Sequence, residues 1–166
     1  MPAIITRGGL AASAIGFGAQ QSAPVYVEDV FSTYLYTGTG TSASQTINNG
    51  VDLSTKGGMV WIKSRSTTTY NFLFDTANGT GKFCYSNLTV PQQSDAQTLT
   101  SYNTNGFTLG TDSGYFGVNI SPETYVSWTF RKQPKFFDIV TFSSNGSATQ
   151  TINHNLGSTP GMIIIK

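Results

Sequence analysis

The side chains able to do chemistry in this 166-residue chain are few and scattered. His154 is the only histidine and Cys84 the only cysteine. Nucleophilic catalysis needs a Ser or Cys beside a His that a carboxylate orients, and His154 lies in Asn153-His-Asn-Leu-Gly157, which reads as a turn. A lone Cys is more often a small buried hydrophobe than a nucleophile, and one thiol excludes an internal disulfide and a thiolate metal cluster. Whether Cys84 and His154 meet in space is left open by the sequence. The eight carboxylates, Glu28, Asp29, Asp52, Asp75, Asp95, Asp112, Glu123 and Asp138, stand singly, whereas glycoside hydrolysis needs two that face each other. The stretch Asp75-Thr-Ala-Asn-Gly-Thr-Gly-Lys82 has the outline of both a calcium loop and a phosphate loop. It lacks the alternating ligands and closing Glu of the first, and it lacks an earlier Gly and a Ser or Thr after Lys82 for the second. It reads as a polar hairpin turn, and no catalytic, cofactor or metal residue is assigned: the expectation is a protein that is not an enzyme.

Aromatic residues beside basic ones offer a different chemistry. Trp61-Ile-Lys63-Ser-Arg65 and Trp128-Thr-Phe130-Arg131-Lys132 could lay ring faces on sugars or bases. In Tyr125-Val-Ser-Trp-Thr-Phe-Arg131, however, Val126, Trp128 and Phe130 alternate with Ser127, Thr129 and Arg131. That period predicts a strand with the first set in the core and the second in water. A net charge of +1 leaves no clustered basic footprint for a nucleic-acid backbone or an anionic membrane. No apolar run approaches the roughly 18 residues of a membrane span, and the first residues lack the basic and apolar regions of a signal peptide. Neither nucleic-acid binding nor membrane insertion is expected.

The elements that must position these residues are β. Thr, Ser, Asn, Gln and Gly make up 79 of the residues and the charged types only 17, a composition found in disordered, fibrous and secreted β chains. Eleven Phe, 8 Tyr and 2 Trp argue against disorder, because such rings carry large burial energies. From Val25 on, short runs rich in Thr, Tyr, Phe, Val and Ile are punctuated by Gly and Asn about every ten residues, the spacing of a sandwich or barrel. Strands are predicted near 29–37, 44–48, 58–65, 70–74, 81–86, 97–101, 106–110, 124–131, 136–142, 149–153 and 161–166, with low helix content. Asn49-Gly50, Gly57-Gly58, Asn78-Gly79, Asn105-Gly106, Ser113-Gly114 and Asn145-Gly146 supply the turn signals.

Two motifs recur. Gln45-Thr-Ile-Asn48 returns as Gln150-Thr-Ile-Asn153, and Gly58-Met-Val-Trp-Ile-Lys63 returns as Gly161-Met-Ile-Ile-Ile-Lys166. Upstream of each copy runs a strand ending in Gly, Thr33–Gly38 and Thr141–Gly146. A period of about a hundred residues is that of one sandwich, so the chain divides into a sandwich at 25–135 and the start of a second, incomplete copy at 136–166; convergent strand–turn–strand motifs are the alternative. Residues 1–24 form a segment apart, with Arg7 its one charge. Its aliphatics cannot build a core, so it reads either as a frayed terminus or as an extended arm that docks on a partner through Ile4, Ile5, Leu10, Ile15 and Phe17.

Five segments together carry a resemblance. Val51–Lys63, Leu73-Phe-Asp75, Ser101–Gly110, Tyr125–Arg131 and His154–Ile165 resemble a module of tail-fibre and other virion proteins of marine phages, cyanobacterial ones included. The resemblance spans roughly residues 29 to 166 and brings no catalytic signature. It implies an all-β, jelly-roll, lectin-like antiparallel sandwich with an extended N-terminal arm, located in the virion as part of a tail fibre. Its partners would be a tail adaptor or nozzle, or other virion proteins, met through residues 1–24, within a homotrimer. The fibre modules would form the shaft used in host attachment. Alternatives are a module binding host-surface carbohydrate and a capsid decoration or minor virion protein.

Overall fold

The computed structural model describes residues 24–111 and 117–166; the arm residues Ile4, Ile5, Leu10, Ile15 and Phe17, and the Ser113-Gly114 turn, lie outside them. Among the described residues the chain forms one short helix, α1 (Val27–Val30), one turn of 3-10 helix (Gly40–Ser42) and nine strands. The strands are β1 (Phe31–Thr37), β2 (Gln45–Asn48), β3 (Gly58–Ser64), β4 (Phe72–Asp75), β5 (Lys82–Tyr85), β6 (Gln93–Ser94), β7 (Leu99–Asn103), β8 (Gly106–Leu109) and β9 (Thr124–Arg131). All pairings between strands are antiparallel, in a larger sheet of six strands ordered β1-β9-β3-β4-β5-β6 and a smaller one of three ordered β2-β8-β7. The fold is thus an all-β sandwich.

Period-2 alternation decides which side chains meet between the sheets. From the larger sheet come Val60 and Ile62, Phe72 and Phe74, Phe83 and Tyr85, and Tyr125; from the smaller come Ile47, Leu99, Phe107 and Leu109, and all join one buried cluster. The rings interlock, with Phe72 at 5.3 Å from Phe83 and 5.1 Å from Tyr85, and Phe74 at 5.4 Å from Phe83. Full burial of one such ring contributes roughly 1.5–3 kcal/mol. The turns close as expected. Thr104-Asn105 joins β7 to β8, where Gly106 takes a φ of 133° and lies so close to the Ile47 carbonyl that no Cβ would fit. The Asp75–Lys82 stretch is a hairpin turn in which the Asp75 carboxylate accepts the Ala77 and Asn78 amides, both at 2.9 Å.

Two expectations are corrected. In β9 the faces are reversed: Tyr125, Ser127 and Thr129 are completely buried, whereas Trp128 and Phe130 are half-buried on the outer side of the larger sheet. The inner position of Thr129 is tolerated because its hydroxyl accepts a 2.8 Å hydrogen bond from Asn49 Nδ2. Trp128 and Phe130 instead pack laterally on rings of neighbouring strands. Alternation gives a period but not its sign when both faces are apolar.

The second correction concerns the strands expected at 136–142, 149–153 and 161–166. No strand forms there; one isolated bridge joins Gln133 to Phe137, and from Val140 onward no residue is buried. A strand needs a partner for its backbone groups. Residues 45–48 have β8, and residues 58–63 have β4 and β9; the C-terminal copies have no counterpart of these among the described residues.

Candidate functional site

The residues first considered for chemistry are held apart by local structure. His154 is exposed, and its Nδ1 accepts the Leu156 amide at 3.2 Å, which closes a turn. Cys84 stands on the outer side of β5; burial pushes its thiol up and the charge of Asp75 adds to this, so the neutral form is favoured. No hydrogen bond joins the two among the described residues. The carboxylates make turns: Asp29 accepts the Tyr26 amide, Asp52 the Thr55 amide and Asp95 the Gln97 amide. Glu123 Oε2 accepts hydroxyls from Ser64 at 3.3 Å, Thr67 at 2.8 Å and Tyr125 at 3.1 Å, tying the start of β9 to the end of β3. Among the described residues no three His, Cys, Asp or Glu side chains group as a metal site.

What the fold does assemble is an apolar outer face on the larger sheet. Directly opposed residues share a face, so the strand registers read off its rows. One row runs Phe31, Phe130, Met59, Asp75 across β1, β9, β3 and β4. The next runs Thr33, Trp128, Trp61, Leu73, Cys84 across five strands, β1 to β5 by way of β9, β3 and β4. A third runs Leu35, Val126, Lys63. Trp61 and Trp128 meet edge to face at 5.7 Å, Phe31 and Phe130 at 5.0 Å, and Phe137, just past β9, lies 5.4 Å from Phe130. Leu35 is 57% exposed and Phe136 40%. Trp61 Nε1 is buried without a hydrogen-bond partner among the described residues.

Cys84 and Asp75 stand at the far side of this face, on β5 and β4, and among the described residues no hydrogen bond joins them. The face offers ring edges and faces and a flanking ammonium at Lys63, which suit apolar packing or the CH faces of a sugar. The reversal of β9 hid the tryptophans from the sequence reading. The signal was present in β3: Gly58-Met-Val-Trp-Ile62 is an unbroken apolar run, the pattern of a strand apolar on both faces.

Fold and surface together define an all-β sandwich module with an aromatic outer face on its larger sheet. Residues 27–166 match the family described as Domain of unknown function (DUF7483), and the chain belongs to that family. The matched span includes the sandwich and the strand-free C-terminal segment alike. No curated protein and no solved structure matches the chain.

Proposed function

We propose that the protein is a structural module of a phage tail fibre, with residues 1–24 docking the fibre to the tail and the sandwich contributing to the shaft used in host attachment. The observation that carries this reading is the aromatic outer face, where Phe31, Phe130, Trp61 and Trp128 are half-buried beside the exposed Leu35: apolar surface left partly open on a sandwich favours contact with another surface. The use of the described carboxylates as turn-forming groups fits a scaffold. The likeness to virion modules supplies the location and the finer proposals, namely jelly-roll connectivity, a homotrimer, and a tail adaptor or nozzle as partner of the arm. Gold-labelled antibody against the sandwich, viewed on intact virions by electron microscopy, tests it. Label on the fibres is expected; label confined to the capsid, or particles that lack the protein, would reject the fibre role.

A second reading, binding of host-surface carbohydrate, is favoured by Trp61 and Trp128 lying on the outer side instead of in the core. Ring stacking on sugars needs that exposure. A glycan array probed with the intact chain and with Trp61→Ala decides it: a glycan signal lost in the variant, with the circular dichroism spectrum unchanged, supports binding, and a blank array for the intact chain removes it.

A further inference from the structure

The two ends of the outer face differ in charge. Alternation along β3 puts Met59, Trp61 and Lys63 on that face, and Arg65 continues the series because its amide still pairs with the Thr124 carbonyl at 2.7 Å. Lys63 and Arg65 are exposed, and among the described residues neither side chain makes a hydrogen bond or an ion pair. With only nine Lys and Arg in the whole chain, two cations two residues apart on one strand are a local excess.

The described carboxylates leave this excess unbalanced. Asp75, in the Met59 row, accepts the Ala77 and Asn78 amides and Asn78 Nδ2. That row is four residues from Lys63 along β3, roughly 13 Å, beyond the about 8 Å over which exposed charges act in physiological salt. Glu123 is bonded to Thr67 and to Ser64, which is buried on the other side of β3. Glu28 and Asp29 precede β1 at its Phe31 end, and Asp138 pairs with Lys132. Next to the cations stand rings. Trp61 is two residues from Lys63, roughly 7 Å along the same face, and like Trp128 it is half-buried, so part of each ring stays open. Thr33, exposed in the tryptophan row, adds a hydroxyl that makes no hydrogen bond among the described residues.

We infer that this end of the outer face takes an acidic saccharide, a glycan whose sugar rings carry carboxylates; this rests on the carbohydrate-binding reading above and narrows it to one ligand class. The CH face of a sugar ring lies against Trp61 and Trp128, a ring hydroxyl meets Thr33, and the carboxylate accepts charge-assisted hydrogen bonds from Lys63 and Arg65. A nucleic-acid strand fits less well. It brings a phosphate about every 3.4 Å, and the row from Thr33 to Cys84 holds no cation to continue the track.

An array that presents uronic-acid oligosaccharides beside their methyl esters, neutral glycans and single-stranded DNA tests it, probed with the full chain and with Lys63→Gln and Arg65→Gln. Signal is expected on the free acids, lower on the esters by about tenfold or more, and each glutamine variant should fall toward the ester level. Both substitutions change exposed side chains, so melting midpoints should hold. Lys56→Gln, in the turn before β3 and in the field of Asp52, should bind like the unaltered chain. Equal signal on acid and ester, or on neutral glycans alone, overturns the inference and leaves the carbohydrate reading standing, whereas a blank array removes both. Equal signal on DNA, or an equal loss in Lys56→Gln, also overturns it, because the attraction is then general. Should a variant melt low, added salt replaces it: the signal of the full chain on the free acids should fall as the cations are screened, and a signal that salt leaves unchanged overturns the inference.

Discussion

The same residues occur twice in this chain with opposite fates. Gln45-Thr-Ile-Asn48 is β2, with Ile47 only 2% exposed, and Gln150-Thr-Ile-Asn153 is exposed coil around a half-buried Ile152. Gly58-Met-Val-Trp-Ile-Lys63 lies in the interior of the larger sheet with Val60 and Ile62 sealed off, whereas Ile163 and Ile165, at the equivalent positions, are among the most exposed apolar residues. Local propensity cannot account for this, since it is shared. The difference is tertiary: β2 has β8, and β3 has β4 and β9. β propensity means fitness for a pleated, half-buried surface, and that surface must be provided by other strands.

The sharpest way to break the comparison is to make one substitution in both copies. Ile62→Ala should lower stability by about 2–5 kcal/mol, the usual loss for a large core aliphatic, while Ile165→Ala should stay within about 0.5 kcal/mol in dilute solution. Urea denaturation followed by fluorescence measures both, and equal losses would mean that the C-terminal copy is packed after all. Next in size is the pair on β9. Tyr125→Ala removes a fully buried ring stacked on Tyr36 at 5.0 Å and should cost about 3–5 kcal/mol. Trp128→Ala opens no closed core site and should cost less than half of that. A larger loss at Trp128 than at Tyr125 would contradict the assignment of the two faces.

How much was legible follows from the same contrast. Eight of the nine strands fall where period and turn residues put them, because Asn-Gly pairs and alternation are local signals. The two-residue β6 carried too few residues for a period, and α1 is a single turn. The face of β9 was illegible for a different reason. Ser127 and Thr129 look solvated by type, yet the sandwich buries them beside Ile62 and Val60, their cross-strand neighbours on β3. The three C-terminal strands were overcalled because the sequence repeats β3 without also providing its flanking strands. The aromatic outer face was legible in part: Trp61 and Trp128 stood out by type, but only the register shows that they lie opposite each other.

A smaller effect concerns the polar residue that makes the inner face of β9 tolerable. Asn49 Nδ2 donates to the Thr129 hydroxyl and Asn49 Oδ1 accepts the Val51 amide at 3.2 Å, so one side chain holds both the β2–β3 connection and the centre of the sheet. Asn49→Ala should cost about 1–2 kcal/mol, since a buried hydroxyl loses a partner. The C-terminal equivalent of this position, His154, is exposed, and His154→Ala is expected to leave the melting midpoint unchanged. A differential scan of the two variants compares them directly.

The smallest expected effect tests how the C-terminal segment is held at its base. Asp138 Oδ1 pairs with Lys132 Nζ at 2.9 Å and Asp138 Oδ2 accepts the Asn155 amide at 2.7 Å, so this one carboxylate links the exit of β9 to the turn at 153–156. Burial alone would raise its pKa, but the hydrogen bonds from Asn155 and Ile139 and the Lys132 ammonium outweigh burial and set it below the ordinary carboxylate value. A depressed pKa in the folded state means that the tether contributes fully above the unfolded carboxylate pKa and is lost as pH falls through the lower, folded value. Below that point the Asn155 amide should lose its protection relative to the intrinsic exchange rate at the same pH, with the protection of the β3 and β9 amides unaffected, because the sandwich does not depend on the segment. Asp138→Asn should show an unprotected Asn155 amide already at neutral pH and no further loss of protection from this group on acidification. Measured by hydrogen exchange with nuclear magnetic resonance detection, simultaneous loosening of β9 and Asn155 would instead make the segment an integral part of the sandwich and remove the contrast between the two copies.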